Sequence, residues 1–541
     1  MTVITASTTR QGGMTSEERM VIFASSLGTV FEWYDFYIYG TLGAFLAKYF
    51  FSNVPPNVGF IFALLAFAAG FAVRPFGALI FGRLGDIIGR KYTFLVTMSL
   101  MGVGTFFIGV LPGYATLGIL APILLIALRL VQGLALGGEY GGAATYVAEH
   151  APKNQRGFYT SWIQTTATLG LFMALLLVLG IRAAMGEEAF GEWGWRVPFL
   201  LSAILLAVSI WIRLKLNESP VFKRMKEEGK QSKAPLKEAF GNWANAKIAL
   251  FALLGATAGE AVVWYGGQFY ALFFLTQTLK VPAVNAQIMI AVALLLGTPC
   301  FVLFGWLSDR IGRKPIILAG FALAVITYFP IFQAITHYAN PKLEAALAQA
   351  PVVVTADPAE CSFQFKATGT EKFTTGCDNI KAALVNLSVN YDNVTAPKGT
   401  PASVKVGDQV IPASTPNLAA AIATAVRSHG YPASADPNDI NYVMTVILLT
   451  ILVIYVTLVY GPIAAWLVEL FPTRIRYTSM SLPYHIGNGW FGGFLPATVF
   501  AIVAATGNIY SGLWYPIAVA AMSFVIGLIF LPETKDVDIT K

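Results

Sequence analysis

Long apolar stretches, separated by polar connections, dominate the sequence. Val58 to Ile80, Tyr92 to Pro112 and Ile317 to Thr336 are three of them, and each is as long as a helix that crosses a bilayer, which needs about 20 residues. Strands of a membrane barrel would instead alternate apolar and polar residues over about 10 positions. The pattern predicts an all-α membrane protein with twelve transmembrane helices, at 20–45, 57–81, 92–112, 117–147, 157–183, 194–214, 247–276, 284–307, 315–337, 441–468, 477–505 and 511–531.

Composition excludes the soluble classes, and the distribution of charge predicts the orientation. Hydrophobic residues make up 56% of the 541 residues and charged residues only 12%, whereas a soluble domain carries about 25% charged residues. With the N-terminus in the cytoplasm, 23 of the 36 Lys and Arg fall in cytoplasmic segments, which is the positive-inside bias. The net charge of +7 is therefore a sign of topology. We expect both termini in the cytoplasm and no nucleic-acid partner.

An internal duplication divides the chain. The loop Gly82-Arg-Leu-Gly-Asp-Ile-Ile-Gly-Arg-Lys91 reappears as Gly305-Trp-Leu-Ser-Asp-Arg-Ile-Gly-Arg-Lys314, each between two apolar spans. Many secondary transporters are built from repeats of this kind. We expect two pseudo-symmetric six-helix halves, at 1–214 and 247–541, joined by a cytoplasmic linker at 215–246. A polar insertion at 339–440 separates helices 9 and 10 and, by the count of crossings, lies outside the cytoplasm.

Further motifs narrow the class. They are Glu32-Trp-Tyr-Asp-Phe36, Arg74-Pro75, Arg129-Leu-Val-Gln-Gly133, Gly137-Gly-Glu-Tyr-Gly141 and Trp193-Gly-Trp-Arg-Val-Pro198. Together with the duplicated loop, they resemble the major facilitator superfamily and, within it, the metabolite:proton symporter family. That resemblance implies a major facilitator fold and a bacterial permease of the group that takes 2-oxoglutarate, citrate, shikimate, and proline or betaine.

The repeated loops predict a gate. Their glycines permit a close approach between helices, and their aspartates can accept hydrogen bonds from the first amides of a neighbouring helix or pair with arginine. A second repeated pair, a glutamate seven positions before an arginine, accompanies each loop. We predict a latch that closes the cytoplasmic side in one state, built from Gly82, Asp86, Arg90, Lys91, Glu149, Arg156, Asp309, Arg313, Lys314, Glu469 and Arg476.

Ionisable residues inside the spans are candidates for proton coupling, because a charge at mid-bilayer is costly and is kept for function. Glu32 and Asp35 are three positions apart and share one helical face. We predict that one of these two carries the proton, with Glu139 and then Glu260 as further candidates. The alternative for each is a static buried ion pair that holds two helices together.

Substrate is expected between the halves near the membrane midplane. Arg74 and Arg129 each offer a guanidinium fork that matches a carboxylate in two hydrogen bonds. The predicted binding residues are Arg74, Arg129, Gln132, Trp264, Tyr265, Gln268, Tyr484, His485 and Asn488. For His485, a hydrogen-bonded packing role is the alternative to a proton relay.

Two cysteines in the insertion predict a disulfide. Cys361 and Cys377 are sixteen positions apart, in the compartment where disulfides persist. The insertion contains short β-prone runs at 351–355 and 404–406 and no apolar block long enough to span a membrane. These features fit either a small ordered domain or a flexible loop.

The sequence contains no phosphate-binding G-x-x-x-x-G-K-[ST] loop and no His/Cys cluster with metal spacing. We therefore expect no enzyme activity, no cofactor and no metal, and transport driven by an ion gradient. The leading function is proton-coupled import of a small organic acid by a monomer in the bacterial inner membrane. Import of proline or betaine is the alternative within transport, and a non-transporting membrane sensor is the alternative from another class.

Overall fold

Twelve helical crossings run through the computed structural model, which describes residues 16–53, 56–214, 218, 220–230, 232–362, 374–387 and 389–539. Each overlaps one predicted segment. Ten are long and apolar enough to cross a membrane. The crossings are α1 (Ser16–Thr41), α2 (Pro56–Ile87), α3 (Arg90–Val110), α4 (Leu120–His150), α5 (Arg156–Met185), α6 (Val197–Leu214), α7 (Trp243–Thr278), α8 (Ala283–Ile311), α9 (Arg313–Ala339), α10 (Tyr442–Leu470), α11 (476–506) and α12 (Trp514–Phe530).

Short helices connect the crossings or cover their ends. They are Gly43–Phe50, Tyr114–Leu117, Glu187–Glu192, Pro220–Glu227 and Pro235–Phe240, with single 3₁₀ turns at Gly194–Arg196 and Ser511–Leu513. We call the end of the bundle that carries the two repeated loops the latch end. The opposite end, which carries the insertion, is the insertion end.

Close packing of α2 on α4 depends on glycine. A Cβ atom added at Gly77 or Gly133 would overlap the backbone of the facing helix, at Leu134 and Gly70 respectively. Small residues of this kind let membrane helices approach until their backbones touch. The glycine spacing of the fourth span is therefore explained by packing.

Helices α7 and α11 are the irregular ones. Three π-helical stretches interrupt α7, at Leu253–Thr257, Gly266–Tyr270 and Phe274–Thr278, and one lies in α11, at Gly487–Gly492. π-Bulges of this type are frequent at functional sites because they displace side chains from regular helical positions. These are the two helices on which most of the predicted substrate residues lie.

The insertion folds as a small α/β domain on the last six helices. Strands β1 (Val352–Ala356), β2 (Tyr391–Thr395), β3 (Ser403–Val406) and β4 (Gln409–Pro412) form one sheet in the order β2-β1-β3-β4. The β1–β2 pair is parallel, and β3 is antiparallel to both β1 and β4. Helices Pro341–Gln349, Gly376–Asn386 and Leu418–Ser428 and the 3₁₀ turn Pro358–Glu360 complete it. Of the two alternatives for the described part of the insertion, the ordered domain is the one observed.

Backbone hydrogen bonds attach this domain to the ends of α7 and α11. The Tyr391 amide donates to the Gly507 carbonyl at 2.9 Å, and the Ala435 amide donates to the Lys280 carbonyl at 3.0 Å. The Asn340 side chain donates to the Leu279 carbonyl at 2.9 Å. The domain is thereby fixed to the second half at two separate loops.

Cys361 and Cys377 are joined by a disulfide, and Cys300 in α8 is a free thiol. On the chain-entropy model, a disulfide that closes a loop of this length stabilises the insertion by about 3 kcal/mol. We predict that alkylation of the denatured, unreduced protein labels one cysteine and that prior reduction raises the number to three, as read by intact mass. Three labels before reduction would show that the bond is absent in the protein and would also question the outer location of the insertion.

Candidate functional site

At the latch end, each repeated loop caps a helix of the other half. Asp309 accepts hydrogen bonds from the amides of Gly157 and Phe158 at 2.9 and 2.8 Å, in the first turn of α5. Asp86 accepts one from the amide of Thr478 at 2.9 Å, in the first turn of α11. A carboxylate is favoured there because the helix N-terminus presents unbonded amides and the positive end of its dipole.

Buried ion pairs surround these caps. Arg313 binds Glu469 through two nitrogens, at 3.1 and 3.3 Å, and binds Asp309 at 2.8 Å. Arg476 of α11 binds Glu149 of α4 at 3.0 Å, so this pair joins the two halves. Bidentate and charge-assisted hydrogen bonds of this kind are about twice as strong as neutral ones.

The other predicted gate residues lie at the same end. Arg156 is 3.5 Å from Glu469, and Gly82 lies against the backbone of α11. Lys314 donates to the carbonyls of Leu528 and Leu531, and Lys91 to that of Leu214. The side chain of Arg90 lies outside the described residues.

The C-terminal tail also contributes here, which the sequence did not predict. Glu533 accepts hydrogen bonds from the amides of Arg313 and Lys314, both at 3.0 Å. The carbonyls of Val537 and Ile539 accept from Arg156 and Arg476 at 2.8 and 2.7 Å. Because two of these contacts are made by the tail backbone, no side-chain pattern in the sequence indicates them.

We predict that Asp309→Asn loosens the latch end. The amide cannot replace the ionic bonds to Arg313 and to the α5 terminus, and a hydrogen bond to a charged group contributes about 1.5–3 kcal/mol. A reporter cysteine at Ser161, which is buried against Gly305, should react with maleimide at least tenfold faster in the variant. Asp357→Asn, in the insertion, is the matched control; an unchanged rate at Ser161 in the Asp309 variant would contradict the latch.

In the middle of the bundle, aromatic and polar side chains from both halves meet. The rings of Tyr140 and Tyr484 stack with centroids 3.5 Å apart, and the Tyr484 hydroxyl lies 2.6 Å from that of Tyr460. Trp33 of α1 faces Trp264 of α7 at 5.5 Å. These contacts join α1 and α4 to α7, α10 and α11, so the cluster lies at the junction of the halves.

Arg74 and Glu260 are charged residues of this cluster. The guanidinium of Arg74 lies 4.3 Å from the centroid of the Phe71 ring and beside the hydroxyl of Tyr265. Glu260 accepts a hydrogen bond from Asn488 at 2.9 Å. Both charged side chains are buried, at 3% and 0% exposure, and a buried charge is stable only when it is paired or hydrogen-bonded.

Many polar atoms of the cluster lack a hydrogen bond to any described residue. They include one carboxylate oxygen of Glu260, the Trp264 indole nitrogen, the Arg74 Nε atom, and both side-chain polar atoms of Gln268 and of His485. Buried polar groups are nearly always hydrogen-bonded, so each exception requires an explanation. Such a concentration between the halves is what a binding site for a polar molecule requires. Neither ring nitrogen of His485 is bonded to a described residue, and the choice between its two predicted roles stays open.

Asp35, Arg129 and Gln132 lie elsewhere, inside the first six helices. The Ser202 hydroxyl donates to Asp35 at 2.6 Å, and the Thr105 hydroxyl also contacts this carboxylate. Gln132 donates to Thr105 at 2.6 Å and accepts from Arg129 at 2.7 Å. The Thr105 hydroxyl itself donates to the Met101 carbonyl at 3.0 Å, so the hydrogen-bonded chain runs from Thr105 to Arg129, and Asp35 lies beside it.

The substrate role of Arg129 and Gln132 stays a prediction, and the structure places both among residues of the first half. The Arg129 guanidinium lies 4.2 Å from the centroid of the Tyr39 ring and 5.3 Å from that of Phe67. Cation–π attraction to these rings holds it against α1 and α2. Helical spacing indicates that Arg129 and Gln132 share a face, but it does not tell which neighbours that face meets.

The side chains of Glu32 and Glu139 lie outside the described residues. The sequence did not identify Thr105, Tyr140, Ser202 or Tyr460 as site residues. These side chains are uncharged, so burying them in a membrane helix gives no signal as strong as that of a carboxylate.

Comparison with known proteins relates this geometry to transporters. The family model described as sugar (and other) transporter matches residues 20–254 and 417–541. The shikimate transporter of Escherichia coli (strain K12) is 36% identical over 59% of this chain and 73% of its own. The proline/betaine transporter of Salmonella typhimurium (strain LT2) is 37% identical over 58% of this chain and 65% of its own.

Two comparisons extend over nearly the whole chain. A putative metabolite transport protein of Haemophilus influenzae is 32% identical over 96% of this chain and 95% of its own, so the match continues through the insertion. The solved structure of the major facilitator superfamily proton:xylose symporter XylE, bound to 6-bromo-6-deoxy-D-glucose, has a TM-score of 0.63 and 15% identity, and covers 97% of this chain and 98% of that one. At that identity the likeness concerns the fold alone, and the predicted fold is confirmed.

Proposed function

Because the chain belongs to the sugar (and other) transporter family of the major facilitator superfamily, we propose that it imports a small organic acid together with a proton. The observation that carries this proposal is the central cluster, where the buried guanidinium of Arg74 lies among polar atoms that have no hydrogen bond to a described residue. The buried carboxylate of Asp35 lies apart from this cluster. Substrate and proton thus have separate proposed sites, the first at the junction of the halves and the second inside the first half.

Arg74 is the proposed anchor of the substrate carboxylate. It lies on α2 between the rings of Phe36 and Phe71 and beside Tyr265 of α7. A carboxylate accepted there forms two charge-assisted hydrogen bonds. The remaining polar groups, on Trp264, Gln268 and His485, are available for hydroxyl or further carboxyl groups of the substrate.

Asp35 is the proposed proton carrier. The Ser202 hydroxyl beside it can donate to the carboxylate or accept from the protonated acid. Protonation removes the charge of the Asp35 carboxylate and weakens the charge-assisted hydrogen bond that Ser202 of α6 donates to it. In the proposed cycle this change alters the contact of α1 with α6, and Trp33 of α1 faces Trp264 in the central cluster.

Alternating access follows from these contacts. The latch end is held closed by Asp86 and Asp309 on the first turns of α11 and α5. In the proposed cycle the loaded protein releases these caps, and the substrate leaves into the cytoplasm. We place the protein in the bacterial inner membrane with both termini in the cytoplasm and the insertion outside.

Import of proline or betaine is the second candidate, and the aromatic rings favour it. Trp33, Trp264 and Tyr140 line the junction, and aromatic faces attract quaternary ammonium groups. Both candidate classes carry a carboxylate for Arg74, so Arg74 does not distinguish between them.

A thermal-shift screen of the purified protein separates the two classes. A ligand at about 100 times its dissociation constant stabilises the folded state by about 2.7 kcal/mol. Shikimate, dicarboxylates, proline and betaine should be compared at equal concentration. The proposal requires stabilisation by an organic acid, whereas stabilisation by betaine or proline alone would select the second candidate.

A further inference from the structure

We propose that the groove between α5 and α8 binds one anionic phospholipid. One of its two acyl chains lies in the groove, and its phosphate lies on Arg310. The groove has a volume of about 640 Å³, within the range of about 300–1,000 Å³ that is usual for single-ligand sites. Its walls include Phe158, Trp162 and Leu169 of α5 and Pro299, Leu303 and Trp306 of α8. The site does not take part in the proposed transport of substrate and proton.

The groove runs along the two helices, which is the direction of a lipid acyl chain in a bilayer. Both walls belong to helices long and apolar enough to cross a membrane, and Trp162, Leu169 and Leu303 are exposed on the outside of the bundle. From Phe158 to Leu169 the wall extends roughly 16 Å along the helix, close to half of the ~30 Å hydrocarbon core. A chain from one leaflet therefore fills it.

A positive charge at one end of the groove favours an anionic headgroup. The guanidinium of Arg310 lies 3.8 Å from the centroid of the Trp306 ring, so a cation stands over a residue that lines the groove. Arg310 is exposed and lies one turn nearer the latch end than Trp306. Guanidinium binds phosphate oxygens in paired hydrogen bonds, and an interfacial tryptophan sits at headgroup level. A phosphate there is held directly above the acyl chain.

Because α5 belongs to the first half and α8 to the second, a lipid in this groove contacts both halves. At its latch end, α5 and α8 touch through Gly157 and Gly305, where an added Cβ would overlap the facing helix. A chain in the groove contacts a helix of each half at once, beside the Asp309 cap.

Native mass spectrometry of the full-length protein with added palmitoyl-oleoyl phosphatidylglycerol tests the proposal, with phosphatidylcholine of the same chains as the comparison lipid. We expect one phosphatidylglycerol per protein, retained at least fivefold better than phosphatidylcholine. Leu303→Trp, which fills the groove, should abolish retention, and Arg310→Gln should weaken it about fivefold, the effect of one surface cation on an anionic lipid.

The matched controls are Leu295→Trp, at another exposed position of α8, and Arg83→Gln, at an exposed arginine of the first repeated loop. Neither should change retention. Equal retention in the wild type and Leu303→Trp would overturn the site, and equal retention of the two lipids would overturn the role of Arg310. Because no substrate is present, these outcomes are independent of whether the transport proposal holds.

Discussion

Asp35→Asn should abolish proton-driven accumulation of substrate while substrate exchange across the membrane continues. Asparagine keeps the size of the side chain and a hydrogen bond to Ser202, but it carries no exchangeable acidic proton. Exchange of substrate for substrate requires no net proton movement, so it survives. An inward gradient of two pH units supplies about 2.7 kcal/mol, enough for roughly 100-fold accumulation with one proton for each substrate.

Proteoliposomes with labelled substrate measure both activities on the same preparation. The wild type should approach that accumulation, and the Asp35 variant should stop at equal concentrations inside and outside. Glu32→Gln is the comparison variant, since Glu32 lies one turn earlier on α1. If Asp35→Asn accumulates substrate normally, the proton is carried elsewhere, and Glu260 in the central cluster is then the first residue to change.

Arg74→Lys should weaken substrate binding about 10- to 100-fold, although the charge is kept. Lysine loses the planar fork that holds both oxygens of a carboxylate, and one hydrogen bond to a charged group contributes about 1.5–3 kcal/mol. Titration of the purified variant with the substrate found by thermal shift gives the dissociation constant.

Arg129→Lys is the matched control, because Arg129 is equally buried but packs on Tyr39 and hydrogen-bonds Gln132 instead of α7 or α11. Its dissociation constant should change by less than that of Arg74→Lys, while its proton-driven accumulation falls. Equal loss of affinity in both variants would return Arg129 to the binding site, as the sequence alone had indicated.

The fold was predictable because its signals are large and local. A membrane span requires a continuous apolar segment, and the repeated loops from Gly82 and Gly305 mark the duplication directly. The latch residues followed from the same repeat. Their partners, the first turns of α5 and α11, did not, because a backbone amide has no side-chain signature in the sequence.

The site was predictable only in part. Charged residues in spans were found, since burial makes them costly. The sequence did not indicate that three rings of α1 and α2 surround the guanidinium of Arg129. The polar links Thr105 and Ser202 were missed for a related reason: hydroxyl groups occur in membrane helices without special function, often bonded to a carbonyl of their own helix.

Proton movement driven by substrate alone tests the central proposal most directly. Proteoliposomes containing a pH-sensitive dye, at equal pH inside and outside, should acidify internally when the organic acid identified by thermal shift is added outside. Asp35→Asn proteoliposomes preloaded with unlabelled substrate should exchange it for the labelled substrate without acidification. Uptake by the wild-type protein with no change of internal pH would contradict proton-coupled import.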